Sequence, residues 1–468
     1  MKRFKTNLLI ILVSVAFLLG NSIEAQKQNK DIFAKRRQKL MDKMDGGIAV
    51  FRSAENKSDF YYLSGFDESE AAFLLIPNSK EKYILFVRPK NPTRAVWTGE
   101  RYGVQGAVNI FGADKAYPLD QFEKILSQYL RGKPKVYCSF NDKWLIEKLI
   151  PMISSPYSNR PKQVSDPRQY VHEMRLTKSP EEIELMRKAI DITCDALIEA
   201  MKATETGMYE YEIEAIIEYI YRKKGSPRPA FPSIIGSGPN TTVMHYEVNN
   251  RKIRHGDLVL MDVGAEYGFY KADVTRTIPV NGKFSKKQRE IYEIVLEAQQ
   301  EAINIAAPGV GLYEIHKRGV EVIKDGLYRL GLITDKNSKW QYRIWIMYNI
   351  NHWLGLDVHD VGGRGPDDGK GRKLEPGMVF TVEPGIYIRE DALERLSERW
   401  GRLAPDEKEI NDFINKVKPA VQKYVNIGVR IEDDILITED GHENLSKRAP
   451  KKIKEIEKLM KKKSDLNK

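Results

Sequence analysis

The sequence predicts an α+β protein in two parts: an α/β amino-terminal domain, then a curved antiparallel sheet backed by helices. Three observations predict it. Residues 30–165 alternate apolar runs (GGIAVF, AAFLLIP, KYILFVRP, KVYCSF) with helical patterns such as FEKILSQYLRG, the rhythm of an α/β domain. The second part, 175–460, opens with helical spacing near 180–203, 208–224 and 285–306. Strands rich in Val, Ile and Tyr lie between and after them: DLVLMDVGAEYG, GFYKADVTRTIPV, MVFTVEPGIYI and GVRIEDDILIT. Between the two parts, SDPRQYVHEMRLTKSPEE changes the texture, and its SPEE supplies a helix cap, a first-turn proline and two acids. No repeat with a period of 20–50 residues interrupts this plan.

The 468 residues suffice for two or three domains with a buried core, and 41% hydrophobic with 30% charged residues excludes a disordered or collagen-like chain. The net charge of +11 invites a nucleic-acid reading only if it covers one face. It does not. Residues 447–468 carry a net +7 and residues 1–25 a net +2, so the body between them is close to neutral. With no zinc-finger spacing and no interleaving of aromatic and basic residues, nucleic acid is excluded as a partner.

The amino terminus reads as a secretory signal peptide over 1–25: Lys2, Arg3 and Lys5, an apolar run from Leu8 to Leu19, then GNSIEAQ with cleavage near Ala25. The alternative, a retained anchor, is disfavoured because twelve helical residues rise only about 18 Å against a hydrocarbon core of about 30 Å. The processed protein is therefore expected to be exported, periplasmic or extracellular, without stable membrane insertion. Cys138 and Cys194 fall in different domains and are expected as unpaired thiols. In the basic tail, Ile453, Ile456, Leu459 and Met460 share one helical face, which is expected to pack on its own domain and leave the lysines solvated.

Acids stand inside otherwise apolar strands. Asp262 sits in LVLMDVG and Asp273 in FYKADVTRT, with the turn-like GAEYG between them, so a hairpin can bring both carboxylates to one face. Glu383 in VFTVEPGIYI and Glu432 in VRIEDDILI repeat the pattern. A buried carboxylate is costly unless paired or bound to a cation. One such acid is equally well a salt bridge, whereas four together point to divalent metal.

Histidines supply the rest. His352 and His359 lie seven apart in NHWLGLDVHDVGG, beside glycines that allow close backbone approach, and His245 lies in the similar GSGPNTTVMHY. His172, His255, His316 and His442 sit in polar or turn-like text and read as ordinary surface or structural histidines. Oxygen donors with one or two imidazoles and no thiolate favour a hard ion such as Mn over a structural zinc site, and the chemistry that follows is metal-assisted hydrolysis. Competing motifs fail: HEMRL lacks a second metal histidine, GSGPNT lacks a third dinucleotide glycine, GRGPDDGKG misses phosphate-loop spacing, and no serine occupies a nucleophile elbow.

At these residues the chain resembles the aminopeptidase P and prolidase group of metallopeptidases, from about residue 30 to 460. MDVGAEY with ADVTRT, HWLGLDVHDVG, TVEPGIYI and GVRIEDDILIT match in order and spacing, and HWLGLDVHDVG looks more like aminopeptidase P than prolidase. The resemblance implies a creatinase-like amino-terminal domain followed by a pita-bread catalytic domain. It implies that Asp262, Asp273, His352, Glu383 and Glu432 bind two Mn ions around a bridging hydroxide, with Glu383 also shuttling a proton. His245 and His359 match histidines that orient the scissile carbonyl and stabilise the oxyanion, and Arg430 and Tyr387 match supporting residues around the metals. Trp97 in VWTGERYG resembles a tryptophan that reaches a neighbouring subunit's site in tetrameric relatives, so a homo-oligomer, dimer or tetramer, is implied.

Two departures stand out. Tyr348 in IMYNINHW occupies the place of a substrate-holding histidine found in many relatives. The connection from Arg389 to Tyr424 is longer than expected for bacterial relatives. Its spacing (Leu393, Leu396, Trp400; Ile410, Phe413, Ile414, Val417) predicts a helical hairpin near the cleft mouth, where it either limits substrate length or is a solvated decoration. The expected activity is removal of the first residue from peptides with proline at the second position. The alternatives are an Xaa-Pro dipeptidase and, in another class, an inactive peptide- or protein-binding module on the same fold.

Overall fold

The computed structural model describes residues 30–154, 159–366, 368–394, 396, 406–464 and 466. The expected signal peptide and Trp400 lie outside the described residues. Two compact units divide the chain, Met1–Arg175 and Leu176–Lys468.

In the first unit, a helix over 30–43 precedes β1 (Ile48–Arg52), β2 (Ala72–Leu75), β3 (Tyr83–Val87), β4 (Lys115–Pro118), β5 (Lys135–Tyr137) and β6 (Gln163–Ser165). They form a mixed six-stranded sheet in the order β4-β3-β2-β1-β5-β6. β1 pairs antiparallel with β2 and parallel with β5. Strand residues Ile48, Val50, Leu74, Ile84, Phe86 and Val136 pack with Phe122, Leu126, Leu145 and Leu149 from two helices. Every residue of YILFV in β3 is buried, which explains its continuous apolar run. The helix Pro92–Thr98 is the exception: Asn91 caps it, yet it buries none of its residues, and Val96 and Trp97 are each 84% exposed.

The second unit begins with the helix Pro180–Ala203, whose capping box joins Ser179 and Glu182 as SPEE suggests. The helices Glu210–Lys223 and Lys286–Asn304 also follow their spacing. A fourth helix, Leu312–Arg329, was not assigned from sequence and corrects that reading. Gly319 and Gly326 look like breakers there, but they are points of close packing, where a Cβ would collide with Ile350 and Ile294.

The strands of this unit are β7 (Ile234–Ser237), β8 (Leu258–Val263), β9 (Glu266–Tyr267), β10 (Tyr270–Lys271), β11 (Val274–Pro279), β12 (Val379–Val382), β13 (Gly385–Ile388), β14 (Ile427–Arg430), β15 (Asp433–Thr438) and β16 (Gly441–Asn444). All pairs are antiparallel, in short sheets ordered β11-β8-β7, β12-β15-β16 and β13-β14, with β9-β10 at a hairpin tip. The breaks fall at Glu383-Pro384, where proline offers the ladder no N–H, and at Ile431-Glu432. Side chains and backbone stitch the pieces together: Glu432 N–H donates to Thr275 O at 3.1 Å, and Thr277 Oγ1 donates to Arg430 O at 2.9 Å.

At the carboxyl end, Ile453 and Ile456 of the helix Ile453–Leu459 are buried, so the tail spends its apolar face on its own unit as expected. The long connection contains the helix Glu407–Tyr424, capped by Asp406, which buries Phe413, Val417, Val421 and Tyr424. Phe413 meets Trp340 edge-on at 4.9 Å. The first arm of the expected hairpin falls largely outside the described residues. Cys138 and Cys194 are both buried and free.

Candidate active site

Register explains why Asp262 and Asp273 meet. Asp262 on β8 faces Thr275 on β11, and Asp273 stands two residues before Thr275, hence on the same face of the strand. Glu383 and Glu432 occupy the two breaks between short sheets, where the chain can turn a side chain inward. His352 is carried by a loop docked on β12: Thr381 N–H donates to His352 O at 2.9 Å, and Glu383 N–H donates to Ile350 O at 2.8 Å.

His352 Nε2 lies 3.5 Å from Asp273 Oδ2 and 3.6 Å from Glu383 Oε1. Asp273, His352 and Glu432 each bring a ligand atom within 4.8 Å of the others. His352 Nδ1 is 3.0 Å from Trp353 O, so Nδ1 carries the proton and Nε2 turns its lone pair toward the carboxylates. Thr275 Oγ1 donates to Glu432 at 2.7 Å, and Arg430 is paired with Asp262.

Burial pushes the Asp273 carboxyl well above its ordinary value, and Asp262, Asp434 and Glu383 add like-charge repulsion. Burial, with Asp273, Glu383 and Asp262, does the same to Glu432. Glu383 is pushed up to about 7, chiefly by burial. Burial opposes the Arg430 charge, but Asp262, Tyr387, Tyr348 and Glu383 outweigh it and hold the guanidinium ionised. One arginine does not balance four carboxylates. Asp262 Oδ1 is also buried without a hydrogen-bond partner. An oxygen-rich donor set with one imidazole, short of positive charge and retaining a free oxygen, fits divalent cations.

These groups line one cavity of about 610 Å³ together with Met244, His245, Tyr348, His359 and Arg430. The His352 and His359 rings meet edge-on at 4.4 Å. Burial, then His352 and His245, lowers the His359 pKa and keeps the ring neutral. Tyr348 Oη donates to Glu383 O at 2.9 Å and lies 2.8 Å from Tyr387 Oη, which accepts from Arg430 Nη1 at 2.9 Å. Arg430, Tyr387 and Tyr348 thus form one polar chain beneath the carboxylates. Trp97 stands on the exposed helix of the first unit.

Sequence reasoning missed several participants. Asp434 is fully buried and accepts the Asp273 N–H at 3.2 Å, a role that its neighbour Glu432 could have suggested by strand parity. His316, read as ordinary, is buried and lines the cavity; that reading is corrected, because the unassigned helix Leu312–Arg329 carries it inward. Arg343 lines the same wall and gave no signal in sequence. The other three histidines make ordinary contacts: His172 with Asp59, His255 with Asn281 and His442 with Ala306 O.

Residues 184–439 match the model of metallopeptidase family M24, and residues 33–137 match that of the aminopeptidase P amino-terminal domain. The chain is 38% identical over 455 residues to the Xaa-Pro aminopeptidase of Escherichia coli (strain K12), covering 92% of this chain and 97% of that one. Among solved structures, Pseudomonas aeruginosa aminopeptidase PepP superposes with a TM-score of 0.82 at 37% identity, covering 92% of this chain and 98% of that one. E. coli aminopeptidase P with the inhibitor Pro-Leu superposes with a TM-score of 0.81 at 38% identity, over the same shares of the two chains. The chain belongs to metallopeptidase family M24. Within that family it is a metallo-aminopeptidase of the aminopeptidase P group, with an amino-terminal domain followed by a pita-bread domain.

Proposed function

We propose that this protein is an exported Xaa-Pro aminopeptidase, cleaving the bond between an amino-terminal residue and a following proline with two divalent metal ions, Mn in preference. The observation that carries this reading is the convergence of Asp262, Asp273, Glu383 and Glu432 with His352, all short of positive charge. Support for the substrate comes from relatives named as Xaa-Pro aminopeptidases and from one solved with Pro-Leu as inhibitor.

The ions, when bound, supply Lewis acidity toward water and the scissile carbonyl. The protein's own groups do the rest. Glu383 takes a proton on attack and returns it to the departing proline nitrogen. His245 and His359, facing the same cavity, donate to the carbonyl oxygen as negative charge develops there. Tyr348 forms part of the wall that receives substrate. The largely exposed Trp97 and Val96 on a helix with no buried residue support a homo-oligomer in which that helix finds its cover. The apolar, basic-flanked stretch at residues 1–25 supports export to the periplasm or the exterior.

The test compares Ala-Pro-Ala with Ala-Pro on the purified protein, together with metal analysis, chelation and Mn add-back. Hydrolysis of the tripeptide, lost on chelation and restored by Mn, is expected. Turnover of the dipeptide alone would replace the reading with a prolidase, and absence of both bound metal and turnover would leave a binding module. Deleting 389–424 without changing the rates on short and long peptides would dismiss the length-limiting role of that connection.

A further inference from the structure

The lining of the cavity carries both charges. The strands and their flanking residues supply Asp262, Asp273, Glu383 and Glu432, whereas the helix Leu312–Arg329 contributes His316 and Val320 and the short turn Gln341–Ile344 contributes Arg343. Arg343 Nε is buried with no hydrogen-bond partner, and Arg343 makes no ion pair among the described residues. A guanidinium does not discharge itself by losing a proton, so this one lacks a counter-ion.

His316 completes the arrangement. Its Nδ1 accepts the Ile350 N–H at 3.3 Å, which places the ring proton on Nε2. Burial, reinforced by the charges of Arg343 and Lys317, lowers its pKa to about 4, so the ring is neutral at physiological pH and acts there as a donor. Arg364, from the loop after His359, lines the same cavity and also makes no ion pair among the described residues. These residues therefore offer guanidinium and imidazole N–H groups that no carboxylate among the described residues pairs with in an ion pair. Such a donor fork suits a carboxylate.

A peptide held with its amino-terminal end at the acidic strands sends its remaining residues away from them, at about 3.3–3.6 Å per residue. We propose that Arg343, assisted by His316, binds a substrate carboxylate located after the proline, supplied either by the chain end of a short peptide or by an acidic side chain. The proposal rests on the Xaa-Pro aminopeptidase reading for the direction in which the peptide lies.

The decisive measurement is calorimetric binding of prolyl-leucine and prolyl-leucinamide to the Mn-loaded full-length protein and to its R343Q and R343K variants. The wild type should bind the acid at least tenfold more tightly than the amide. R343Q should remove that preference by weakening the acid alone, and R343K should recover part of it. In kinetics, R343Q should raise KM for Ala-Pro-Ala with little change in kcat and leave Ala-Pro-Ala-amide unaffected; Ala-Pro-Glu-amide then reports whether a side-chain carboxylate also serves. Equal affinity of the wild type for acid and amide overturns the proposal, as does an R343Q variant that weakens both ligands equally. A wild type that discriminates acid from amide but cleaves no Xaa-Pro peptide rejects the activity and keeps the carboxylate site.

Discussion

Glu432 and Asp433 are neighbours in sequence and opposites in circumstance. Asp433 is fully buried, yet Arg276 meets it at 2.7 Å, Lys451 pairs with it, and Ser446 and Asn444 donate at 2.6 and 2.8 Å. Burial works against its ionisation, but Arg276 and Lys451 win and hold its carboxyl well below the usual carboxylate range. Glu432 faces the other way, as alternation along an extended strand requires, into a group of like charges where its carboxyl is driven up. The same chemical group at the same depth is thus a finished structural ion pair on one face and an unfinished site on the other. The difference lies in whether the chain provides its own cations, and that difference separates a core from a metal centre.

The largest expected effect breaks the unfinished side. Glu432→Gln or Asp273→Asn should cost a thousandfold or more in turnover of Ala-Pro-Ala and lower the bound metal per chain, with little change in the unfolding midpoint of the metal-free protein. Metal analysis beside a urea titration reads both. Asp433→Asn should behave in reverse. Removing one partner of a buried ion pair costs about 3–5 kcal/mol of stability, while the folded fraction should keep its metal content. Equal stability losses from Glu432→Gln and Asp433→Asn would erase the distinction.

Acidity sharpens the same contrast. Glu383 has its folded pKa raised to about 7, against about 4.3 in an unfolded chain. Between those values the native state binds more protons than the unfolded one, so this group makes the metal-free protein less stable as pH rises. Asp433 has the opposite sign: its contribution is present above its unfolded pKa and is lost as pH falls through its depressed folded value. The metal-free protein should therefore lose stability from pH 5 to pH 7, by about 1.4 kcal/mol per pH unit for each carboxylate taking part. Saturating Mn should flatten that slope. Thermal unfolding across this range, with and without Mn, checks it.

The acids were legible because they violate strand composition. An Asp in LVLMDV needs an explanation whatever the fold, and four such violations in one half of the chain had one in common. Pairing was legible too, since the turn between Asp262 and Asp273 fixes their parity. What escaped notice was hidden by packing. Gly319 and Gly326 disguised a helix because their reason is the proximity of Ile350 and Ile294, which no local pattern reveals. His316 and Arg343 escaped with that wall. Asp434 was within reach of strand parity, but its use as an acceptor for the Asp273 N–H depends on a contact 161 residues away in sequence.

Smaller effects test how firmly the unfinished side is held. A Cβ on Gly385 would lie 2.6 Å from Tyr387 Oη and 2.8 Å from Tyr348 Oη, two hydroxyls bonded to each other on rigid rings. Gly385→Ala should therefore cost about 1–3 kcal/mol as the crowded pair shifts, readable in a urea titration.

Tyr348→Phe should do less. It removes the hydroxyl that donates to Glu383 O and leaves Tyr387 its bond from Arg430, so the polar chain loses its last member and keeps its first two. One net hydrogen bond is worth about 1 kcal/mol, corresponding to about a fivefold fall in Mn affinity or turnover if the Glu383 carboxylate relies on that anchor. Tyr348→His sharpens the result, because an imidazole at this position is shorter than a phenol and cannot meet both Glu383 O and Tyr387 Oη with the same geometry. A variant in which Tyr348→Phe leaves Mn affinity, turnover and stability all unchanged would show that Arg430 and Tyr387 alone hold the cluster. The tyrosine would then serve only as wall.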